Sequence, residues 1–107
     1  MTPEGPLYKD FLRTPVHLIG AGGICSNVLA MLARLSPPKL TIWDDDTVVG
    51  VNLVMQQFYE RDIGKYKVDV LMRDARRINQ ILPVVAYRRR CTAQDSLDGV
   101  VIAGVDC

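Results

Sequence analysis

The sequence has no long apolar run, no block of like charge, no internal repeat and few aromatic residues, with only three cysteines and one histidine. Each shortage removes a class of protein. Charged residues interrupt every apolar stretch well before the ~20 residues that a helical membrane span needs, and no signal-like segment opens the chain. Thirteen Lys and Arg stand against twelve Asp and Glu, a formal net charge of +1. That balance offers neither a basic stripe for nucleic acid nor an acidic tract of the disordered kind. The expectation is a soluble, cytoplasmic domain with no nucleic-acid or membrane partner. Cys25, Cys91 and Cys107 lack Cys-x-x-Cys spacing, so neither a disulfide framework nor a structural zinc site is indicated. Reduced thiols, rather than nucleophiles, are the plain reading of all three. With 107 residues the chain can bury one core, yet it is short for a complete nucleotide-binding enzyme.

What is present begins at Val16-His-Leu-Ile-Gly20-Ala-Gly22-Gly23-Ile-Cys-Ser26, an apolar strand running into a glycine turn. Ile24, Val28, Leu32 and Leu35 then recur at helical spacing over 24–35, and Ser36-Pro37-Pro38 stops that helix. A second strand, Lys39–Trp43, runs into Asp44-Asp45-Asp46, and residues 47–58 read as an irregular connection with a short helix. Val68, Leu71, Ala75, Ile78 and Leu82 predict an amphipathic helix over 65–82, halted by Pro83. Third and fourth strands are predicted at Val84–Arg88 and Val100–Val105, with a polar connection between them. Residues 1–14 read as a loose arm whose apolar side chains pack on the body. Strands alternating with helices give an α/β fold, a parallel sheet with right-handed crossovers, and such sheets bind ligands at the carboxyl ends of their strands. Gly20, Asp44 and Asp106 all fall at such ends.

The order of strand, glycine turn, helix and acidic strand end suits a nucleotide phosphate. Gly20 allows the tight turn, while Gly22 and Gly23 let backbone N–H groups and a helix N-terminus approach a pyrophosphate. Asp44 or Asp46 then faces the ribose. Several residues read as ordinary structure: His17 near the start of the first strand, Trp43 packed on its sheet neighbours, Asp45 as solvated or capping, and Arg88-Arg89-Arg90 as a solvated run. A glycine turn followed by an acid about 20 positions later is also the dinucleotide fingerprint, which keeps an NAD-dependent oxidoreductase among the readings.

Downstream of the turn stand Asp44-x-Asp46-x-Val48, Asn52-Leu53-x-x-Gln56, Asp62-Ile63-Gly64-x-x-Lys67 and finally Asp106. In this order and spacing the motifs resemble the adenylating domain of the ThiF/MoeB/HesA family, the fold shared with ubiquitin-activating enzymes, and the resemblance covers residues 15–107. It implies a Rossmann-like parallel sheet with flanking helices, incomplete here because the chain corresponds to the N-terminal, nucleotide-binding half of the family fold. It further implies ATP and Mg2+, and adenylation of the C-terminal carboxylate of a ubiquitin-like or sulfur-carrier protein by a homo- or heterodimer. Carried over by position, Gly20, Gly22 and Gly23 form the phosphate turn, Asp44 takes the ribose with Asp46 beside it, Asn52 orients phosphate oxygens, and Gln56 joins them as a cofactor-binding residue. Lys67 is the phosphate-binding lysine, with Lys65 as its neighbour and competitor, and Asp106 is the catalytic carboxylate and metal ligand. Three positions depart from the family pattern. Met55 stands where a phosphate-contacting arginine is usual, Cys25 where a glycine is, and Cys107 where an asparagine is. Met55 supports the alternative of a catalytically impaired scaffold subunit in an activating complex.

Overall fold

The structure is a computed structural model that describes residues 13–104. The arm predicted over 1–14 lies almost wholly outside the described residues, as do Asp106 and Cys107. Four strands, β1 (Val16–Ile19), β2 (Leu40–Trp43), β3 (Val84–Tyr87) and β4 (Val100–Ala103), form one sheet in the order β3-β2-β1-β4, all parallel. Val16 pairs with both Leu40 and Val100, and Leu40 pairs with Val84. The expected Rossmann-like α/β arrangement is therefore present.

Because side chains alternate along a strand, this register sorts the sheet into two faces. Val16, Leu18, Leu40, Ile42 and Val84 join the core beneath helix α1 (Gly23–Leu35) and helix α3 (Lys67–Ile78), which pack against each other. The opposite face carries His17, Ile19, Thr41, Trp43 and Tyr87. Trp43 stacks on Tyr87 with centroids 3.9 Å apart, and Ile19, Trp43 and Cys91 form a second apolar cluster with Leu97. Trp43 thus packs on its sheet neighbour, as its position after the strand interior suggests.

His17 is buried and structural. The Thr41 hydroxyl oxygen accepts the Trp43 indole N–H at 2.7 Å and lies 2.6 Å from His17 Nδ1. With the Thr41 hydroxyl donating to Nδ1, His17 Nε2 carries the ring proton and donates to the Asp98 carbonyl, 2.6 Å away. The network pins the connection 88–99 against the sheet.

The helices differ from expectation at their ends for local reasons. Helix α1 closes on Ser36 in the left-handed conformation, φ 55°, and the Asn79 amide donates to the Ala33 carbonyl and the Ser36 hydroxyl. That same use of Asn79, in extended backbone, ends α3 at Ile78 rather than at Leu82. At its other end α3 starts at Lys67, because Tyr66 is extended and bridges Thr47. The short helix α2 (Asn52–Met55) and a 3-10 turn at Glu60–Asp62 lie between β2 and α3.

Gly99 has φ +94°, and a Cβ there would sit 2.2 Å from the Pro15 carbonyl oxygen, the acceptor of the Val100 N–H that starts β4. Both the backbone conformation and the clash oppose a side chain. Gly99→Ala is expected to lower unfolding free energy by about 2–4 kcal/mol, measured by denaturant unfolding, and a loss under about 0.5 kcal/mol would contradict this account of the β4 entrance.

Candidate functional site

The site grows from the carboxyl ends of β1 and β2. Gly20, at φ +93°, donates to the Trp43 carbonyl at 2.7 Å and extends the ladder by one bond before the chain turns. Ala21, fully buried, then donates its N–H to Asp44 Oδ2 at 2.7 Å, while Asp44 Oδ1 accepts from the Asp46 N–H at 2.8 Å. One carboxylate therefore holds the glycine turn and its own loop together. Helix α1 begins at Gly23 with Gly22 as a cap that supplies no side-chain hydrogen bond, so the first-turn N–H groups have no helical partner. No described atom lies within 4 Å of a Cβ built at Gly23, and at Gly22 the nearest is Gln56 Nε2 at 3.5 Å. Internal packing thus leaves this space open beside Gln56, whose Oε1 is buried without a partner. An open turn at a helix start fits a phosphate-bearing ligand, and the unpartnered Gln56 Oε1, an acceptor, fits a donor such as a hydroxyl.

The loop after Asp44 returns the second half of the site. Asn52 Oδ1 accepts from the Val49 N–H at 2.8 Å, which fixes the turn into α2. Val48 pairs through its N–H with the Lys65 carbonyl and through its carbonyl with the Gly64 N–H, and the Lys67 N–H reaches the Asp46 carbonyl at 3.1 Å. Lys67 is only 6% exposed, whereas Lys65 is exposed. The structure therefore separates the two competing lysines. Among the described residues Lys67 has no ion-pair partner, and its Nζ lies 6.0 Å from the Phe58 ring centroid.

The adjacent cleft is lined by the Gly20 turn, Asp44, Asp45 and Asp46 on one side and by Arg90 and Cys91 on the other. Arg90 and Cys91 were not legible in the sequence as site residues, since the connection 88–99 brings them there. The arginine run is exposed, as expected of a solvated stretch, and each member has an acidic partner. Arg88 makes a 2.6 Å pair with Asp69, Arg89 pairs with Asp95 and lies 4.7 Å over Trp43, and Arg90 pairs with Asp45 at 3.5 Å. The three adjacent aspartates bring one oxygen each within 4.8 Å of one another. Asp44 is oriented by two N–H groups and Asp45 faces Arg90, so the three carboxylates are not presented as the octahedral oxygen array that a resident Mg2+ requires. The expected metal ligand, Asp106, lies outside the described residues.

Cys25 occupies the first turn of α1, fully buried, with its thiol 3.5 Å from the Ile102 carbonyl and 3.7 Å from that of Ile19. Burial pushes the thiol up, the Gly104 N–H opposes this in part, and the nearby Asp44 charge adds to the rise. It packs as a small apolar residue and carries no nucleophile character.

A parallel sheet with the glycine turn and acidic strand end at its carboxyl edge defines a Rossmann-like α/β domain. The chain belongs to the ThiF family, which it matches over residues 3–106. It is 30% identical over 97 residues to the sulfur carrier protein adenylyltransferase of Thermus thermophilus, covering 90% of this chain and 35% of that protein. It is 33% identical over 82 residues to the adenylyltransferase and sulfurtransferase uba4 of Aspergillus clavatus, covering 76% and 17%. Among solved structures, E. coli MccB with ATP superposes with a TM-score of 0.71 at 30% identity, covering 83% of this chain and 27% of that one. The chain thus spans about a third or less of the length of these proteins.

One buried ion pair supports the loop that carries Lys67. Asp62, fully buried, accepts from the Tyr59 N–H at 3.0 Å and from Arg73 Nη1 at 2.9 Å. Burial alone would push its carboxyl up, but the hydrogen bonds from Arg73 and Tyr59 and the charges of Arg73 and Arg61 outweigh it and hold the carboxyl below its ordinary value. A lowered folded-state value contributes stability at neutral pH and loses it as pH falls through that value. Asp62→Asn is expected to cost on the order of 3 kcal/mol at pH 7, and the gap from wild type should narrow below about pH 4 in unfolding titrations. A pH-independent gap would contradict the charge-based account.

Proposed function

We propose that this chain is the nucleotide-binding half of an ATP-dependent adenylating enzyme acting on the C-terminal carboxylate of a ubiquitin-like or sulfur-carrier protein. The observation that carries the reading is Lys67, 6% exposed and without an ion-pair partner among the described residues, tied through its backbone to the loop that Asp44 fixes to the glycine turn. Its stem is packed away and its ammonium is left to meet an anion, which a phosphate beside the turn would supply. The names of the two adenylyltransferase relatives favour this reading over an NAD-dependent oxidoreductase.

In the proposed reaction a carboxylate oxygen of the carrier attacks the α-phosphorus of ATP. The new O–P bond yields the acyl-adenylate, and the bond from the α-phosphorus to the bridging oxygen breaks, releasing pyrophosphate with its electron pair. The Gly22 and Gly23 backbone and the α1 N-terminus face the phosphates, Asn52 and Gln56 orient phosphate oxygens through their amides, and Lys67 offsets charge that builds up there. Asp44 receives the ribose hydroxyls, with Asp46 beside it. Mg2+ would supply further neutralisation of the triphosphate, with Asp106 as its ligand. The protein is cytoplasmic in this reading and works as a homo- or heterodimer.

A second reading, a scaffold subunit that keeps the fold but not the turnover, is supported by Met55 at a position where the family usually has arginine. Pyrophosphate exchange by the full-length protein with ATP, magnesium and a candidate carrier distinguishes the two. Carrier-dependent exchange that drops on the order of 100-fold or more in Lys67→Ala, and likewise in Asp106→Ala, supports the enzyme. ATP binding without exchange, together with stable association with another adenylating subunit, supports the scaffold. Tighter binding of NAD than of ATP in calorimetry would sink both.

A further inference from the structure

We propose that Asp62 is a positioning residue for Lys67, closing the segment 58–62 onto α3 so that this lysine stays against Phe58; the inference rests on the phosphate-binding reading of Lys67 given above. Asp62 lies five residues before Lys67 and its partner Arg73 six residues after it, on α3, so the ion pair closes a loop around the lysine. Both carboxylate oxygens are engaged, one by Arg73 Nη1 and the other by the Tyr59 N–H, and the Asp62 carbonyl accepts from the Lys65 N–H at 3.0 Å. Arg73 is itself held by Asp74, which accepts from its Nε at 3.0 Å. One end of the segment 62–67 is thereby fixed to α3.

The other end is fixed to the loop after β2. Gly64, at φ +90°, turns the chain so that its N–H meets the Val48 carbonyl, the Val48 N–H meets the Lys65 carbonyl, Tyr66 bridges Thr47 and the Lys67 N–H meets Asp46. Lys65 and Tyr66 are exposed, whereas Lys67, the first residue of α3, is 6% exposed with its Nζ 6.0 Å from the Phe58 ring centroid. Phe58 directly precedes Tyr59, whose N–H Asp62 accepts, and Arg73 lies on the helix that Lys67 opens. Asp62 therefore ties together the two segments between which the Lys67 side chain lies, and loss of its charge frees the Phe58 segment from α3 and opens the lysine to solvent.

The test compares the full-length wild-type chain with Asp62→Asn, which keeps the acceptor for Tyr59 but removes the charge, and with Arg73→Lys, a milder variant for use if the first does not fold. Without nucleotide, acetic anhydride labelling of Lys67 under native conditions is expected to rise at least about fivefold toward the rate of Lys65, while the Lys65 rate stays constant. ATP affinity is expected to fall roughly tenfold in the wild-type background but less than about twofold in Lys67→Ala, as required of a residue acting through Lys67. Unchanged Lys67 labelling, a parallel rise at both lysines, or an equal loss of ATP affinity in both backgrounds would overturn the proposal and leave Asp62 a stability residue. If the wild-type chain fails to bind ATP while the labelling shift is seen, the adenylation reading falls and the positioning role stands.

Discussion

A single carboxylate holds this architecture at its functional edge. Asp44 ends no strand and buries little surface, yet its two oxygens accept N–H groups from Ala21, in the turn after β1, and from Asp46, in the loop after β2. Hydrogen bonds to an ionised acceptor are shorter and stronger than neutral ones, and a buried N–H left unmet costs free energy outright. Fixing Asp46 also fixes the carbonyl that receives the Lys67 N–H. The turn, the acid and the buried lysine thus hang on one chain of bonds from β1 to α3, and a disturbance at Asp44 reaches all three.

The opposite face of the sheet is ordered by different chemistry. The connection 88–99 has few apolar residues of its own, so it is held by pinned polar and aromatic contacts. Arg89 stacks over Trp43 and pairs with Asp95, whose carboxyl is held far below its ordinary value by Arg89 and by the Thr92 N–H and hydroxyl. Thr92 and His17 fasten the two ends of the connection, through Asp95 and the Asp98 carbonyl. The result presents Cys91 and Arg90 to the cleft beside Asp44–Asp46. Residues that look like a charge run in the sequence become the far wall of the cleft.

The departures from the family pattern are accommodated unequally. Cys25 is tolerated because α1 meets β4 at Gly104, where a Cβ would lie 3.6 Å from the thiol, so the extra bulk of cysteine meets a glycine. The thiol also finds carbonyl acceptors on β1 and β4. Met55 is a chemical change of another kind, since no packing adjustment returns the positive charge of an arginine. With that cation absent, more of the charge control in the proposed chemistry falls on Lys67, and the placement of Lys67 matters correspondingly more.

The elements of the fold were legible in the sequence because they depend on local periodicity. The apolar alternation of Val16–Ile19 and the helical spacing of Val68, Leu71 and Ala75 place each element to within a few residues, and the glycines and Asp44 mark the carboxyl edge of the sheet. The chain by itself also carried the motifs that pointed to the ThiF family, a resemblance that the family match bears out. Side-chain partnerships between distant segments were a different matter. Nothing local separates Lys67 from Lys65, assigns Asp62 to Arg73 or sends Arg90 to Asp45, because each outcome depends on which strands pair, and in what register, across long stretches of sequence. Hydrophobic periodicity determined what the elements are. The tertiary pairing of β2 with its neighbours, and of the loop 46–48 with 64–67, decided which charges are buried and which are paired.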